Sequence, residues 1–209
     1  MNEMMGRFYM LKISLVDIEP VIWRRFMVPG FITLDRLHDV IQIVMGWKDS
    51  HIHEFTIGKK RYTEYPESRE DGLECGQYRL VNLIKQKGRT FRYRYDFGDN
   101  WEHELLIEDS DYFNQDLETM LFCLGGERAC PPEDVGGAPG YYEFCRVVKD
   151  RKHKDRKRLL KWAGGSFKSE YFDAGAVNDE LQRYLRWSRD RFLDWLEIEW
   201  FEDSPIPEK

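Results

Sequence analysis

His51, His53, Asp96, Asp99, His103, Glu133 and Asp134 are the side chains of this sequence whose types could do chemistry on a bound ligand. Imidazoles and carboxylates are the donors of a metal centre. Metal-assisted hydrolysis needs several of them converging, with one position left open for water. His51 and His53 stand two apart, so on a strand they project from one face and can share an ion. Two ligands do not complete a site, and spacing fixes no third. The plainer reading is a half-buried aromatic face with ordinary hydrogen bonds. His38, at the edge of an apolar helical stripe, reads as a structural histidine. Cys75, Cys123, Cys130 and Cys145 form no CxxC pair, so free thiols are expected rather than a zinc ribbon or a thioredoxin-like site. No nucleophile elbow, P-loop, HExxH or dinucleotide fingerprint occurs.

The elements that must position these groups lie mostly within residues 90–141. Phe91, Tyr93, Tyr95 and Phe97 alternate with Arg92, Arg94 and Asp96. Trp101, His103, Leu105 and Ile107 alternate mainly with Glu102, Glu104 and Glu108. That period of two predicts a hairpin. Both apolar sets share a face only if the connection has an odd number of residues. A three-residue loop, 98–100, meets this condition and pairs Phe97 with Trp101, Tyr95 with His103 and Tyr93 with Leu105. On the other face it sets Arg94 against Glu104 and, unfavourably, Asp96 against Glu102. Such a conflict marks a functional site or is neutralised by Arg24 or Arg25 from another strand. Further on, residues 123–141 are too rich in Gly and Pro for regular structure. Pro131-Pro132 stiffens the loop that presents Glu133 and Asp134.

Residues 9–18 and 21–28 read as another hairpin, turned at Glu19-Pro20, with Arg24 and Arg25 on opposite faces. Leu34, Leu37, Val40, Ile41 and Val44 predict a helix over 34–45, capped by Thr33 and stopped at Gly46. A short strand is expected at 61–65, a polar loop at 66–77 and a helical turn near Leu80. Residues 109–121 read as polar with helical character, and helices are expected over 141–149, 174–187 and 192–200. The architecture is α+β: an antiparallel sheet built from hairpins, one helix packed on the sheet, and C-terminal helices at one end. A single domain over 1–209 is expected, with 142–200 as a possible helical lobe of it.

Of 209 residues, 42% are hydrophobic, 15% aromatic and 33% charged. That composition suits a globular chain with a ring-rich interior. No apolar run approaches the roughly 18 residues of a membrane span, and no secretory signal precedes the first strand, so a cytoplasmic protein is expected. The net charge of −6 argues against nucleic-acid binding by the whole surface, yet residues 146–161 carry nine Lys or Arg against two Asp. Arg151, Lys152, Lys154, Arg156, Lys157 and Arg158 are therefore a candidate nucleic-acid patch. The plainer alternative is a solvated helix paired with acids elsewhere.

IWRR at 22–25, MGW at 45–47 with HIHEF at 51–55, YDFGDNWEH at 95–103, CPPEDVGG at 130–137 with Gly140-Tyr141, and YFDAGAVNDEL at 171–181 follow one another in this order. Together they resemble the plasmid pRiA4b ORF-three-like proteins over nearly the whole chain. The resemblance implies no reaction: the label many members share, passenger protein of mobile elements, reflects genomic company. The candidate binding surface is Asp96, Asp99, Trp101, His103, Glu133 and Asp134, with Arg24 and Trp47. It is read first as a non-enzymatic binding module for nucleic acid or a protein partner, with no cofactor. The alternatives are a metal-assisted hydrolase using the acids and histidines, and a scaffold whose loop merely packs on the hairpin.

Overall fold

The computed structural model describes residues 8–112 and 119–187. At its centre is an eight-stranded sheet of β1 (Phe8–Leu15), β2 (Trp23–Pro29), β3 (His53–Ile57), β4 (Lys60–Thr63), β5 (Leu73–Glu74), β6 (Thr90–Tyr95), β7 (Trp101–Tyr112) and β8 (Phe122–Glu127). The spatial order is β5-β4-β3-β6-β7-β1-β2-β8. Neighbours are antiparallel except β4 and β5. The two expected hairpins, β1–β2 and β6–β7, form its middle and join through β1 and β7.

Alternation puts one face of these strands into the core. Tyr9, Leu11, Ile13 and Leu15 of β1, Phe91, Tyr93 and Tyr95 of β6, and Trp101, His103, Leu105 and Ile107 of β7 are all buried. Helix α1 (Leu34–Met45) covers this face with Leu34, Leu37, Val40, Ile41 and Val44. Each such aliphatic or aromatic side chain, fully buried, stabilises by about 1.5–3 kcal/mol. Gly46 ends α1 in the left-handed region, as expected. Thr33 holds the N-cap position without a side-chain cap bond. The Leu34 amide donates instead to the Tyr78 carbonyl at 3.0 Å, because Thr33 is drawn into a bridge with Arg79. After the short α2 (Leu80–Leu83) come α3 (Gly137–Lys149), α4 (Arg156–Trp162) and α5 (Ala174–Trp187). Helix α5 lies across β8 and α1. The Asn178 amide exchanges bonds of 2.7 and 3.0 Å with the Cys123 backbone, and the Tyr184 hydroxyl donates to Asp39 at 2.7 Å. The expected helix over 192–200 lies outside the described residues.

Several expectations are corrected. The β6–β7 connection has five residues, not three. Its parity is as expected, but every pair slides: Tyr95 faces Trp101, Tyr93 faces His103 and Phe91 faces Leu105. Arg94 then opposes Glu102, at 3.7 Å, and Arg92 opposes Glu104, so the Asp96–Glu102 conflict does not exist. Phe97 leaves the core and lies under the Arg94 guanidinium at 4.3 Å. Residues 109–112 extend β7 rather than starting a helix, since β1 offers a bulged partner as far as Tyr112. The Gly-rich segment is also regular in part. β8 pairs with β2, and a Cβ on Gly126 would lie 2.6 Å from the Trp23 carbonyl oxygen, so the close approach needs glycine there. Helix α3 begins at Gly137, earlier than expected. Its Pro139 sits in the first turn, where a missing N–H leaves no bond unmade.

Candidate functional site

The tip of the β6–β7 hairpin is built by Asp96. It takes a positive φ of 54°, and its Oδ1 accepts from the amides of Gly98 (2.9 Å) and Asp99 (3.2 Å). The Asn100 amide closes the turn on the Asp96 carbonyl at 2.6 Å. Aspartate suits such a position because its short side chain bonds the backbone two and three residues on. Asp99 ties the tip to the Pro-rich loop: its Oδ2 accepts from Gly136 N–H at 3.0 Å, where α3 begins and a carboxylate is favoured. Gly137 has φ +65°, and a Cβ there would lie 2.6 Å from the Asp99 carbonyl oxygen. The tip and the loop therefore meet directly.

Where they meet, three carboxylates surround one imidazole. His51 Nε2 lies 3.2 Å from Asp134 Oδ1, 3.6 Å from Asp96 Oδ2 and 3.8 Å from Glu133 Oε2. Asp96 keeps Oδ2 free, its Oδ1 being used in the turn. Glu133 Oε1 is held by Lys48 N–H (2.9 Å) and the Tyr95 hydroxyl (3.0 Å), and Oε2, which the same hydroxyl also reaches at 3.3 Å, faces the cluster. The ligand atoms of His51, Asp96 and Asp134 all lie within 4.8 Å of one another. Donors around one ion with legs of 2.0–2.2 Å stand roughly 3.3–3.6 Å apart at a tetrahedral centre, close to the His51–Asp134 and His51–Asp96 separations. His51 Nε2 is buried at the atom level and makes no hydrogen bond. Among the described residues no lysine or arginine side chain pairs with Asp96, Glu133 or Asp134. A proton on His51 would offset one charge of three. A nitrogen and oxygen donor set of this kind suits Zn²⁺, Mn²⁺ or Fe²⁺ better than Ca²⁺, which takes more oxygens.

Beneath the cluster, hydrogen bonds fix the segment that carries His51. Gln42 Nε2 donates to the Tyr93 hydroxyl (3.0 Å), which meets His38 Nδ1 (2.8 Å). His38 Nε2 meets Asp49 Oδ1 (2.8 Å), and Asp49 N–H donates back to Gln42 Oε1 (2.9 Å). The ring closes consistently if His38 carries its proton on Nε2. The His38 bond holds the Asp49 carboxyl below its usual range. Ser50 N–H donates to the Tyr95 hydroxyl (2.9 Å), and Trp47 Nε1 donates to the Pro131 carbonyl (3.0 Å). Burial and the neighbouring Glu133 carboxylate push the Tyr95 hydroxyl upward. Residues 47–51 are thus strapped both to the sheet and to the loop.

His51, Asp96, Glu133 and Asp134 converge; the other expected site residues do not. His51 precedes β3, whereas His53 lies inside it and stacks on His38 with ring centroids 3.6 Å apart. The two histidines share no ligand position. Burial, with His38 beside it, pulls His53 down to about 3. Trp101, His103, Trp47 and Arg24 are buried behind the surface rather than on it. His103 Nδ1 faces the Tyr93 carbonyl at 3.2 Å, and burial pulls this histidine down to about 3. Asp99 braces the tip. The basic residues 151–158 lie on the α3–α4 connection and on α4. Sequence reasoning missed Gln42, Asp49, Tyr95 and the part His38 plays. Their contacts join α1, β6, the segment 47–51 and the Pro-rich loop, so no spacing in the chain could signal them, although Tyr95 lies inside the YDFGDNWEH segment.

Fold and cluster together define an α+β protein with a histidine–carboxylate centre at the tip of its middle hairpin. The chain belongs to the Plasmid pRiA4b ORF-3-like protein family, whose model matches residues 7–176. It is 37% identical over 186 residues to the uncharacterized protein y4hQ of Sinorhizobium fredii, covering 86% of this chain and 93% of that one. It also resembles the crystal structure of a protein of unknown function, MM3350, from Methanosarcina mazei Go1. That likeness has a TM-score of 0.71 and 34% identity over 80% of this chain and 96% of the other. No helix among the described residues is long and apolar enough to cross a membrane.

Proposed function

We propose that this chain is a metal-dependent binding module, with a divalent transition metal held by His51, Asp96 and Asp134 and with Glu133 beside them. One observation carries the reading: Asp96 spends Oδ1 on the turn and points Oδ2, together with Asp134 Oδ1, toward an imidazole nitrogen that makes no hydrogen bond, with Glu133 Oε2, which also accepts from the Tyr95 hydroxyl at 3.3 Å, behind them. Asp134 is the exposed member, so an ion here keeps an open side where a partner's anionic oxygen can complete its coordination. In calorimetric titration of chelator-treated protein with Zn²⁺ and Mn²⁺, binding of one ion is expected. His51→Ala and Asp134→Asn should each abolish it or weaken it severely. No uptake of either ion, or uptake that both variants leave unchanged, would sink the reading.

A hydrolase is the second reading, favoured by Glu133. Its Oε2 is the most distant of the three oxygens, and its Oε1 is braced by the Tyr95 hydroxyl, as suits a base that takes a proton from metal-bound water. Under this reading Glu133→Gln keeps the ion and loses metal-dependent cleavage of a phosphodiester or ester reporter. Absence of cleavage by the metal-loaded native chain leaves the binding module as the function.

A further inference from the structure

Asp134 belongs to two surfaces. Beside the cluster it also lines a groove of about 440 Å³ between α3 and α4, walled by Phe144, Val147, Leu159 and Trp162, with Arg158 among its polar residues. Trp162 is 47% exposed, and its ring meets Phe144 at a steep angle, with centroids 5.9 Å apart. The other acids of the groove already have partners. Glu143 receives two bonds from Arg146, at 2.7 and 2.6 Å, and Asp155 faces Arg158 at 3.5 Å and His153 at 3.9 Å. Arg151, Lys152, Lys154 and Lys157, by contrast, are exposed, and among the described residues none has an ion-pair partner. The α3–α4 segment, which gives His153 and Asp155 to the groove, thus carries unspent positive charge beside them in the chain. The groove's wall carries an open aromatic ring, and its lining includes Asp134, the exposed carboxylate of the proposed metal site.

We propose that the groove takes one nucleotide unit of a single-stranded nucleic acid. A phosphate oxygen completes the coordination of the ion at Asp134 and meets Arg158, a base stacks on Trp162, and neighbouring phosphates lie along the lysines of the α3–α4 segment. The phosphate–ion contact rests on the metal reading above, whereas the contacts along α4 do not. Small-ligand sites run from about 300 to 1,000 Å³, so the groove holds one nucleotide and not a stacked duplex. A basic track interleaved with an aromatic platform is how single strands are held without sequence preference.

The test is fluorescence anisotropy of a short labelled DNA or RNA strand with the metal-loaded full chain, read across a salt series. The logarithm of the affinity should fall with that of the salt concentration by roughly 0.7 for each phosphate contacted. Changing Lys152 and Lys154 together to Gln should flatten that slope by about 1.4. Trp162→Ala should weaken binding on the order of tenfold, and Trp162→Phe should restore most of it. The inference falls if no strand binds at low salt, if a duplex binds as tightly, or if the lysine and Trp162 variants bind unchanged. A free mononucleotide that competes as well as the strand would overturn the extended track. Calorimetry on the same protein separates the two readings. Intact metal uptake without strand binding sinks this inference alone. Strand binding that chelator leaves untouched, in a chain that takes up no metal, sinks the metal centre and the phosphate contact to it.

Discussion

Arg24 and the acidic corner are both charged, both lie in segments that carry the family resemblance, and are built on opposite plans. Arg24 is 1% exposed. Its guanidinium donates to the carbonyls of Val44 (2.9 Å), Trp23 (2.8 Å), Glu127 (2.8 Å) and Arg128 (2.7 Å) and lies 4.0 Å over the Phe172 ring. Burial lowers its pKa, yet every nitrogen has an acceptor, so the charge is held by dipoles and not by a counter-ion. It pins β2 to the end of α1 and to the exit of β8. The acidic corner does the reverse: charges of one sign converge, and Asp96 and Asp134 each keep an oxygen without a hydrogen-bond donor. A buried charge with all its donors used is a structural device. A half-exposed cluster left uncompensated gives up stability for binding.

The contrast is tested first by its largest effect. Arg24→Met keeps the volume of the side chain and takes the donor from four carbonyls, that of Val44 buried and the other three part-buried. Losing a buried, fully bonded charge should destabilise the fold by about 3–5 kcal/mol in denaturant unfolding. Metal uptake per folded molecule should stay as it was. A loss below about 1 kcal/mol would mean that Arg24 is not the structural member of the pair.

Next comes the gain on loading. An ion that binds the folded chain alone, at a hundred times its dissociation constant, adds about 2.7 kcal/mol of stability. The native chain should therefore unfold later with Zn²⁺ or Mn²⁺ than with chelator. His51→Ala should unfold at one point under both conditions. Metal that stabilises this variant as much as the native chain would place the ion elsewhere.

The inner side of the same hairpin offers a smaller effect, read against pH. His103 titrates near 3 when folded, against an ordinary value of 6.5. Between these values the unfolded chain holds a proton that the folded chain refuses. Stability from this residue is therefore complete above pH 6.5 and is lost as pH falls toward 3, by about 1.4 kcal/mol per pH unit within the window. In chelator-treated protein, His103→Asn should have a pH–stability slope shallower by about one proton. An unaltered slope would show that His103 does not carry the acid sensitivity.

How much of this was legible depended on whether a pattern is local. Alternation gave the two hairpins and their inward faces, and helical spacing gave α1 and α5, because each reports a single element facing one core. Parity required an odd loop at the hairpin tip but could not choose between three and five residues. The choice was made by Asp96, whose side chain builds a turn that Gly98–Asn100 alone would not. For His51 and His53 a shared ion stood beside the plainer reading of a half-buried aromatic face; the strand begins only at His53, and the stacking on His38 comes from a helix that spacing along β3 cannot see. Arg24 looked like a surface cation because a sequence does not reveal that four carbonyls from distant segments await it. The acidic residues were found by type alone. Their convergence depends on Gly137 allowing the loop to press on the Asp99 carbonyl.

The smallest expected effect decides most sharply between a binding corner and a scaffold, because it is a matter of sign. Asp134 is 71% exposed on its side chain and makes no hydrogen bond that would be lost on substitution. If the loop served only to pack on the hairpin, Asp134→Asn would be neutral or slightly destabilising, as an ordinary surface change is, within about 0.5 kcal/mol. If the corner is an uncompensated cluster, removing one negative charge relieves repulsion from Asp96 and Glu133, and the chelator-treated variant should be slightly more stable than the native chain, by a few tenths of a kcal/mol. Added monovalent salt screens the same repulsion, so the gain should shrink as salt rises. With metal present the order should reverse, since the native chain gains the ion and the variant does not. Careful unfolding curves under four conditions, low and high salt with chelator and low and high salt with Zn²⁺, check the whole pattern. A variant that is less stable than the native chain in all four would make Asp134 part of the packing and return the corner to the same class as Arg24.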